Sequence, residues 1–396
     1  MSAVEIKPGV YWVGAVDWNV RQFHGPSFST PRGTTYNAYL IVDDDITLVD
    51  TVHEPFTHVL IDHIAEIIDP TRITNIVVNH IELDHSGAFP AIMNLNPDAN
   101  VFATKNGKDG LGKHFPGDWD IQTVKTGDTL ITGSRTLQFI EAPMLHWPDS
   151  MFTFIPEDKL LLPNDAFGQH LATNKRFDDE VDRRILMDEA AKYYANILNP
   201  FSKLVARKLQ EIQDLQLDID MIAPSHGVIF RTDPEAILGA YERWASGVGQ
   251  PKVVIAFETM WNSTSKLAHA LLEGVTDAGV DGAIHQISRS DINTIATQIM
   301  EARAVFIGSS TINNDILPSV APLLDEIVGL KLAGKQALAF GSQGWAGGAV
   351  RTIGDKLEKA GMQLAHEGYS VKWVPTDEEL AAARTLGYEI ASSILD

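Results

Sequence analysis

Residues 77–88 read V77-V-N-H-I-E-L-D-H-S-G-A88, the end of a β-branched run that stops at two histidines and two carboxylates within six positions. A strand that ends this way presents ligating side chains at a sheet edge and leaves the core behind it intact. Alternate residues of an extended segment project to one side, so His80, Glu82 and Asp84 are expected to converge. Three later positions repeat the pattern. His146 follows the alternating run T136-L-Q-F-I-E-A-P143, Asp165 follows the apolar K159-L-L-L-P163, and His226 follows M221-I-A-P-S225, each where a strand should end. With His85 these make seven residues whose types describe a pocket for two metal ions.

The pattern H-x-E-x-D-H at 80–85 resembles the H-x-H-x-D-H signature of the metallo-β-lactamase fold, an αββα sandwich. The later His, Asp and His recur here with similar spacing. Glu82 departs from the signature by standing where that fold has its second histidine. Imidazole-rich sites suit zinc hydrolysis, whereas a third carboxylate adds hard, anionic oxygen that favours an oxygen-handling metal such as iron. The expectation therefore moves from hydrolysis to redox chemistry. Asp50, in L48-V-D-T51, resembles a carboxylate that supports the site in that fold; a solvated strand-end aspartate is the other reading.

The chain has 396 residues, 44% of them apolar and 21% charged, which predicts two or three soluble domains. No apolar run approaches membrane-spanning length, and residues 1–8 lack a basic stretch followed by an apolar one, so a cytoplasmic location is expected. A formal charge of −21 opposes binding to nucleic acid or to anionic membranes. The absence of cysteine excludes disulfides, thiolate nucleophiles, cysteine-ligated iron–sulfur clusters and an in-chain rubredoxin module.

A seam is expected in W244-A-S-G-V-G-Q-P251, giving domains at 1–248 and 252–396. Before it, strands are expected at 11–16, 34–42 and 46–50 and a helix at 56–68, with a further helix at 234–244 leading into the seam. After it the pattern becomes strand, loop, helix in alternation, the mark of a doubly wound parallel sheet. Its strands are expected at 252–257, 282–287, 304–308, 336–340 and near 370–373, and its helices include 265–274 and 319–328.

Directly after the first strand of this half, Thr259, Met260, Trp261, Asn262, Ser263 and Thr264 form a loop of hydroxyl and amide groups opening a helix. The loop resembles the phosphate loop of flavodoxins, where helix N-terminal N–H groups and hydroxyls bind phosphate without a lysine. Two further strand ends match, in order, the loops that hold a flavodoxin's ring: Ser309, Ser310, Thr311, Ile312, Asn313 and Asn314, then Ser342, Gln343, Gly344 and Trp345. Three such loops imply FMN, with Trp345 offering an aromatic surface. No G-x-G-x-x-G follows a candidate strand, which weakens a nicotinamide reading.

A diiron lactamase-like half followed by a flavodoxin-like half resembles the flavodiiron proteins over essentially the whole chain. The resemblance implies reduction of dioxygen to water, of nitric oxide to nitrous oxide, or both. It also implies one iron held by His80, Glu82 and His146, the other by Asp84 and His226 with or without His85, and Asp165 bridging, completed by an oxo or hydroxo group. His24 and Tyr194 match positions near the bound gas in that family. With no extra module after Asp396, the chain resembles the minimal two-domain class, which includes rubredoxin:oxygen oxidoreductases and draws electrons from an external carrier such as rubredoxin. A half of about 250 residues has a radius of gyration of roughly 18 Å, so FMN and iron of one chain need not be close. The family answers this with a head-to-tail homodimer, alone or as a dimer of dimers. The competing expectation is a zinc hydrolase fused to a flavodoxin-like domain.

Overall fold

The computed structural model describes residues 2–395. They form two compact units, one of residues up to Tyr193 with Lys203–Glu242, the other of Tyr194–Ser202 with the chain from Arg243 onward. The sequence pattern gives no sign that residues 194–202 belong with the later half.

The first unit stacks two sheets. One has seven strands in the order Val4–Lys7, Val10–Trp12, Tyr39–Val42, Ile46–Val49, Asn75–Val78, Asn100–Ala103 and Ile121–Thr123. The other has five, Thr129–Ile131, Thr136–Glu141, Met151–Ile155, Leu160–Leu162 and Met221–Ile222. Alternation along the first sheet sorts its side chains between two cores. Leu40, Leu48, Ile76, Val78 and Val101 pack with Leu60, Ile64, Phe89 and Leu111 of flanking helices. Tyr39, Ile41, Val49, Val77 and Phe102 face Leu137, Phe139, Met151 and Leu160 of the second sheet. Both faces are buried, so these strands read as apolar runs rather than as clean alternation.

The strand expected at 11–16 divides into Val10–Trp12 and Ala15–Asp17, and that at 34–42 into Thr34–Tyr36 and Tyr39–Val42. The chain changes sheet at these breaks, since among the described residues Ala15–Asp17 pairs only with Thr34–Tyr36. Gly14 permits the crossing, because a Cβ there would meet the Tyr36 carbonyl oxygen at 2.2 Å.

The second unit is a parallel sheet in the order Asp281–Gln286, Gln250–Glu258, Ala302–Ser310 and Gln336–Gln343. Its last position is shared by Gln363–Leu364 and Tyr369–Lys372, both parallel to Gln336–Gln343. This is the 2-1-3-4-5 order of doubly wound sheets that bind ligands beyond their carboxyl edges. Among the described residues no helix is long and apolar enough to cross a membrane.

Candidate metal centre and flavin cavity

The seven expected ligands gather at strand ends of the first unit. His80 follows Asn75–Val78, Asp165 follows Leu160–Leu162, His226 follows Met221–Ile222, and His146 lies in the turn between Thr136–Glu141 and Met151–Ile155. Their donor atoms fall into two groups, His80, Glu82, His146 and Asp165 in one and Asp84, His85 and His226 in the other. The extended alternation expected through residue 84 ends early. A short helix, Leu83–Ser86, begins after Glu82 and carries Asp84 and His85 to the second group.

Asp165 joins the groups. Its Oδ2 lies 3.4 Å from His80 Nε2 and 3.3 Å from His146 Nε2, while its Oδ1 lies 3.0 Å from His85 Nε2 and 3.5 Å from His226 Nε2. Glu82 Oε2 is 3.4 Å from His80 Nε2 and 3.2 Å from His146 Nε2, and Asp84 Oδ2 is 3.1 Å from both His85 and His226 Nε2. Donors bound at about 2.1 Å to one ion, at angles between square and tetrahedral, stand about 3.0–3.4 Å apart. The spacings fit two ions sharing one carboxylate. His80 Nε2, His85 Nε2, both Asp84 oxygens and Asp165 Oδ2 are buried without a hydrogen-bond partner, which a cation in each group would remedy.

The ligand rings are aimed by groups behind them. Asp149 Oδ2 accepts from His80 Nδ1 at 2.9 Å and from the Ile81 N–H at 2.8 Å, leaving His80 Nε2 to face the centre. The Thr35 carbonyl takes His226 Nδ1 at 2.6 Å, and Ser225 Oγ donates to Asp165 Oδ1 at 3.0 Å. Asp149 is the residue that sequence reasoning missed; it sits in a P-D-S turn with no pattern of its own. Asp50 is buried and accepts from the Asn79 N–H and from Asn164 Nδ2.

His24 Nε2 reaches Glu82 Oε1 at 3.1 Å. Of the neighbouring pair Tyr193 and Tyr194, it is Tyr193 whose ring meets the centre, with centroids 5.1 Å from His170 and 6.0 Å from His226; Tyr36 also lies 6.2 Å from His226. Tyr194, expected there, belongs to the second unit, where its ring packs on Trp244 at 5.3 Å and its hydroxyl pairs with Ser202. Consecutive helical residues point about 100° apart, and the helix Arg183–Tyr193 gives way at Tyr194 to a π turn, Tyr194–Leu198.

Electrostatics at the centre call for positive charge. Burial pushes the imidazoles down, but Asp149, Glu82 and Asp165 lift His80 to about 10. Asp84 and Asp165 hold His85 well above its usual range, and Asp165 with Glu82 raises His146. Burial favours protonated carboxyls, yet the histidines keep Glu82, Asp84 and Asp165 well below the carboxylate range. Protons thus occupy the place of metal and must leave when it binds. The sign follows: apparent affinity for a divalent ion should rise with pH from 6 to 9, by about tenfold per pH unit for each proton displaced. Anaerobic ferrous titrations at pH 6, 7 and 8 check this, and a flat profile would refute it.

In the second unit, a cavity of about 610 Å³ opens at the carboxyl edge of the sheet. The three expected loops reach it through Met260, Trp261 and Ser263, through residues 310–314, and through residues 342–345. Trp373 and Val374, unforeseen from sequence because they follow a short edge strand, complete the wall. Behind it Thr264 Oγ1 meets Ser310 Oγ at 3.0 Å and Ser342 Oγ at 2.9 Å, at the N-terminal turn of Ser263–Asp277. Asn262 starts that helix at φ 67°, Ser309 Oγ accepts from the Leu317 N–H, and Thr259 Oγ1 is buried without a partner. Among the described residues no lysine or arginine lines the cavity. Size, hydroxyl cradle and tryptophans fit a phosphorylated aromatic ligand such as FMN.

Residues 34–227 match the ODP family beta lactamase and residues 255–387 match flavodoxin. The chain is 57% identical over 395 residues to the nitric oxide reductase of Moorella thermoacetica, covering 99% of each. It superposes on the flavodiiron protein of Giardia intestinalis with a TM-score of 0.96 at 36% identity, covering 100% of this chain and 97% of that one. The chain belongs to the flavodiiron protein family. A second family structure, the rubredoxin oxygen:oxidoreductase of Desulfovibrio gigas, matches at TM-score 0.97 and 38% identity over 100% of this chain and 99% of that one. The family's two parts, lactamase-like and flavodoxin-like, account for the stacked sheets with their histidine–carboxylate groups and for the parallel sheet with its cavity.

Proposed function

We propose that this chain reduces nitric oxide to nitrous oxide, dioxygen to water, or both, at a diiron centre supplied with electrons by FMN. The observation that carries the reading is Asp165, whose two oxygens each serve a separate histidine–carboxylate group in a chain that also builds a flavin cavity. The names borne by the Moorella and Desulfovibrio relatives support the same two gases. His80, Glu82 and His146 would hold one iron, Asp84, His85 and His226 the other, and the three loops the FMN. Glu82 in place of an imidazole favours iron over zinc, and so oxidoreduction over hydrolysis.

When bound, two ferrous ions and reduced FMN together store four electrons, the number dioxygen needs, while a pair of nitric oxide molecules needs two. The protein's part is protons and exclusion of water. Burial and the nearby Asp165 carboxylate hold the Tyr193 phenol well above its ordinary range, so its hydroxyl stays protonated as a donor rather than a base. His24 Nε2, 3.1 Å from Glu82 Oε1, places an imidazole at the mouth of the site. Phe23 meets the His24 and His226 rings edge-on and the His170 ring at a tilt, and keeps that side apolar.

A head-to-tail homodimer would set the FMN of one chain against the irons of its partner. Trp261, Trp345 and Trp373, 89%, 88% and 62% exposed on the cavity rim, support a covered rather than a free surface. Without cysteine the chain cannot build a rubredoxin centre, so an external reduced carrier completes the route.

The isolated protein should contain about two irons and one FMN per chain. Metal assay and flavin release check the content, and anaerobic reduction followed by each gas, with water, peroxide and nitrous oxide measured, checks the reaction. Stoichiometric zinc with hydrolytic activity would replace this reading with the hydrolase.

A further inference from the structure

We propose that Asn37 is the positioning residue for the half of the centre formed by Asp84, His85 and His226, so that its removal weakens that half more than the other. The inference rests on the diiron reading. Residues 223–227 carry Ser225 and His226 beyond the two-residue strand Met221–Ile222 and have little secondary structure of their own. Hydrogen bonds with Leu161, Asn164, Tyr39, Thr35 and Gln169 help to hold them, and the break between Thr34–Tyr36 and Tyr39–Val42 adds three more from one residue. Asn37, fully buried, bonds through its backbone N–H and its side-chain amide. Its backbone N–H donates to the Ser225 carbonyl at 2.7 Å, and its Nδ2 donates to the Pro224 and Gly227 carbonyls at 2.7 and 3.1 Å. Its Oδ1 accepts from Trp12 Nε1 at 2.7 Å. An indole N–H can only donate, which fixes the orientation of the Asn37 amide. Trp12 in turn lies 4.3 Å beneath the Arg176 guanidinium.

Two ligand contacts depend on this clamp. His226 Nδ1 donates to the Thr35 carbonyl, which turns Nε2 toward Asp84, and Ser225 Oγ donates to Asp165 Oδ1, the oxygen on the same side of the centre. The loop has no slack on its far side, since Gly227 sits at φ 81° and a Cβ there would come within 1.7 Å of Gln169 Oε1. His80 and His146, by contrast, sit on other elements, His80 being aimed by Asp149. A loss at Asn37 therefore reaches the Asp84, His85 and His226 group directly, and the other group only through the shared Asp165.

The test is anaerobic titration of metal-free protein with ferrous ion, with FMN content measured alongside. Wild type should take two equivalents; fewer would overturn the diiron reading itself. Asn37→Ala should weaken one of the two sites by about 10- to 100-fold, as is usual when a group behind a ligand is removed, with the other site weakened less and the FMN content unchanged. Asn75→Ala is the control, another buried asparagine, bonded to Thr47 at the first residue of the strand leading to His80. It should leave both affinities unchanged. Equal weakening of both sites in Asn37→Ala, or the same one-site loss in Asn75→Ala, overturns the inference. Should Asn37→Ala not fold, Trp12→Phe decides, because it keeps a ring under Arg176 and removes only the N–H to Asn37. A smaller loss at one site supports the inference, and two unchanged affinities overturn it.

Discussion

Asp165→Ala is expected to reduce turnover with either gas to background, a loss of at least about 100-fold, the upper end of what removal of a mere supporting group costs a metal site. Its carboxylate lies within 3.5 Å of all four ligand imidazoles, two on each oxygen, so one substitution removes a donor from both groups. It also strips the charge that keeps His85 and His146 basic. The flavin cavity is built by other residues and should keep its FMN. Iron content, flavin content and gas consumption with a chemical reductant distinguish this from general misfolding. A variant that retains two irons and near-normal turnover would sink the bridging role.

The second expectation concerns mixed dimers. Chains carrying Asp165→Ala, mixed with chains carrying Thr264→Asp, should recover activity that neither has alone. A carboxylate at 264 would lie against Ser310 and Ser342 and repel the flavin phosphate. In a head-to-tail pair one interface then joins an intact metal centre to an intact flavin, so each verified heterodimer should run at roughly half the wild-type rate. Heterodimers with no recovery would reject electron transfer between chains. Recovery also requires that the exposed tryptophan rim be covered by the partner, so dimer dissociation and loss of turnover should coincide on dilution.

The side chains that carry the chemistry were legible because ligation demands particular atoms, and those atoms sit where apolar runs stop. The doubly wound half was legible for a similar reason: its hydroxyl-rich loops directly follow its strands. What supports these groups was less visible. Asp149 acts on His80 from 69 positions away through a turn that carries no signal. Neighbouring tyrosines cannot be told apart by composition. Which of Tyr193 and Tyr194 meets the centre depends on where an α-helix loosens into a π turn, a matter of packing rather than of local preference. The breaks at Gly14 and Asn37 were hidden too, since a near-continuous buried run crosses both while the chain moves between sheets.

The loop of residues 259–264 that opens the helix Ser263–Asp277 contains dipoles and no lysine or arginine. Added salt weakens attraction between full charges and has little hold on short hydrogen bonds within a wall. A phosphate kept there should withstand high ionic strength and be released instead by agents that loosen the loops, such as urea or mild acid. Salt washes during purification would then leave the flavin in place, and apoprotein would be prepared with denaturant rather than with brine.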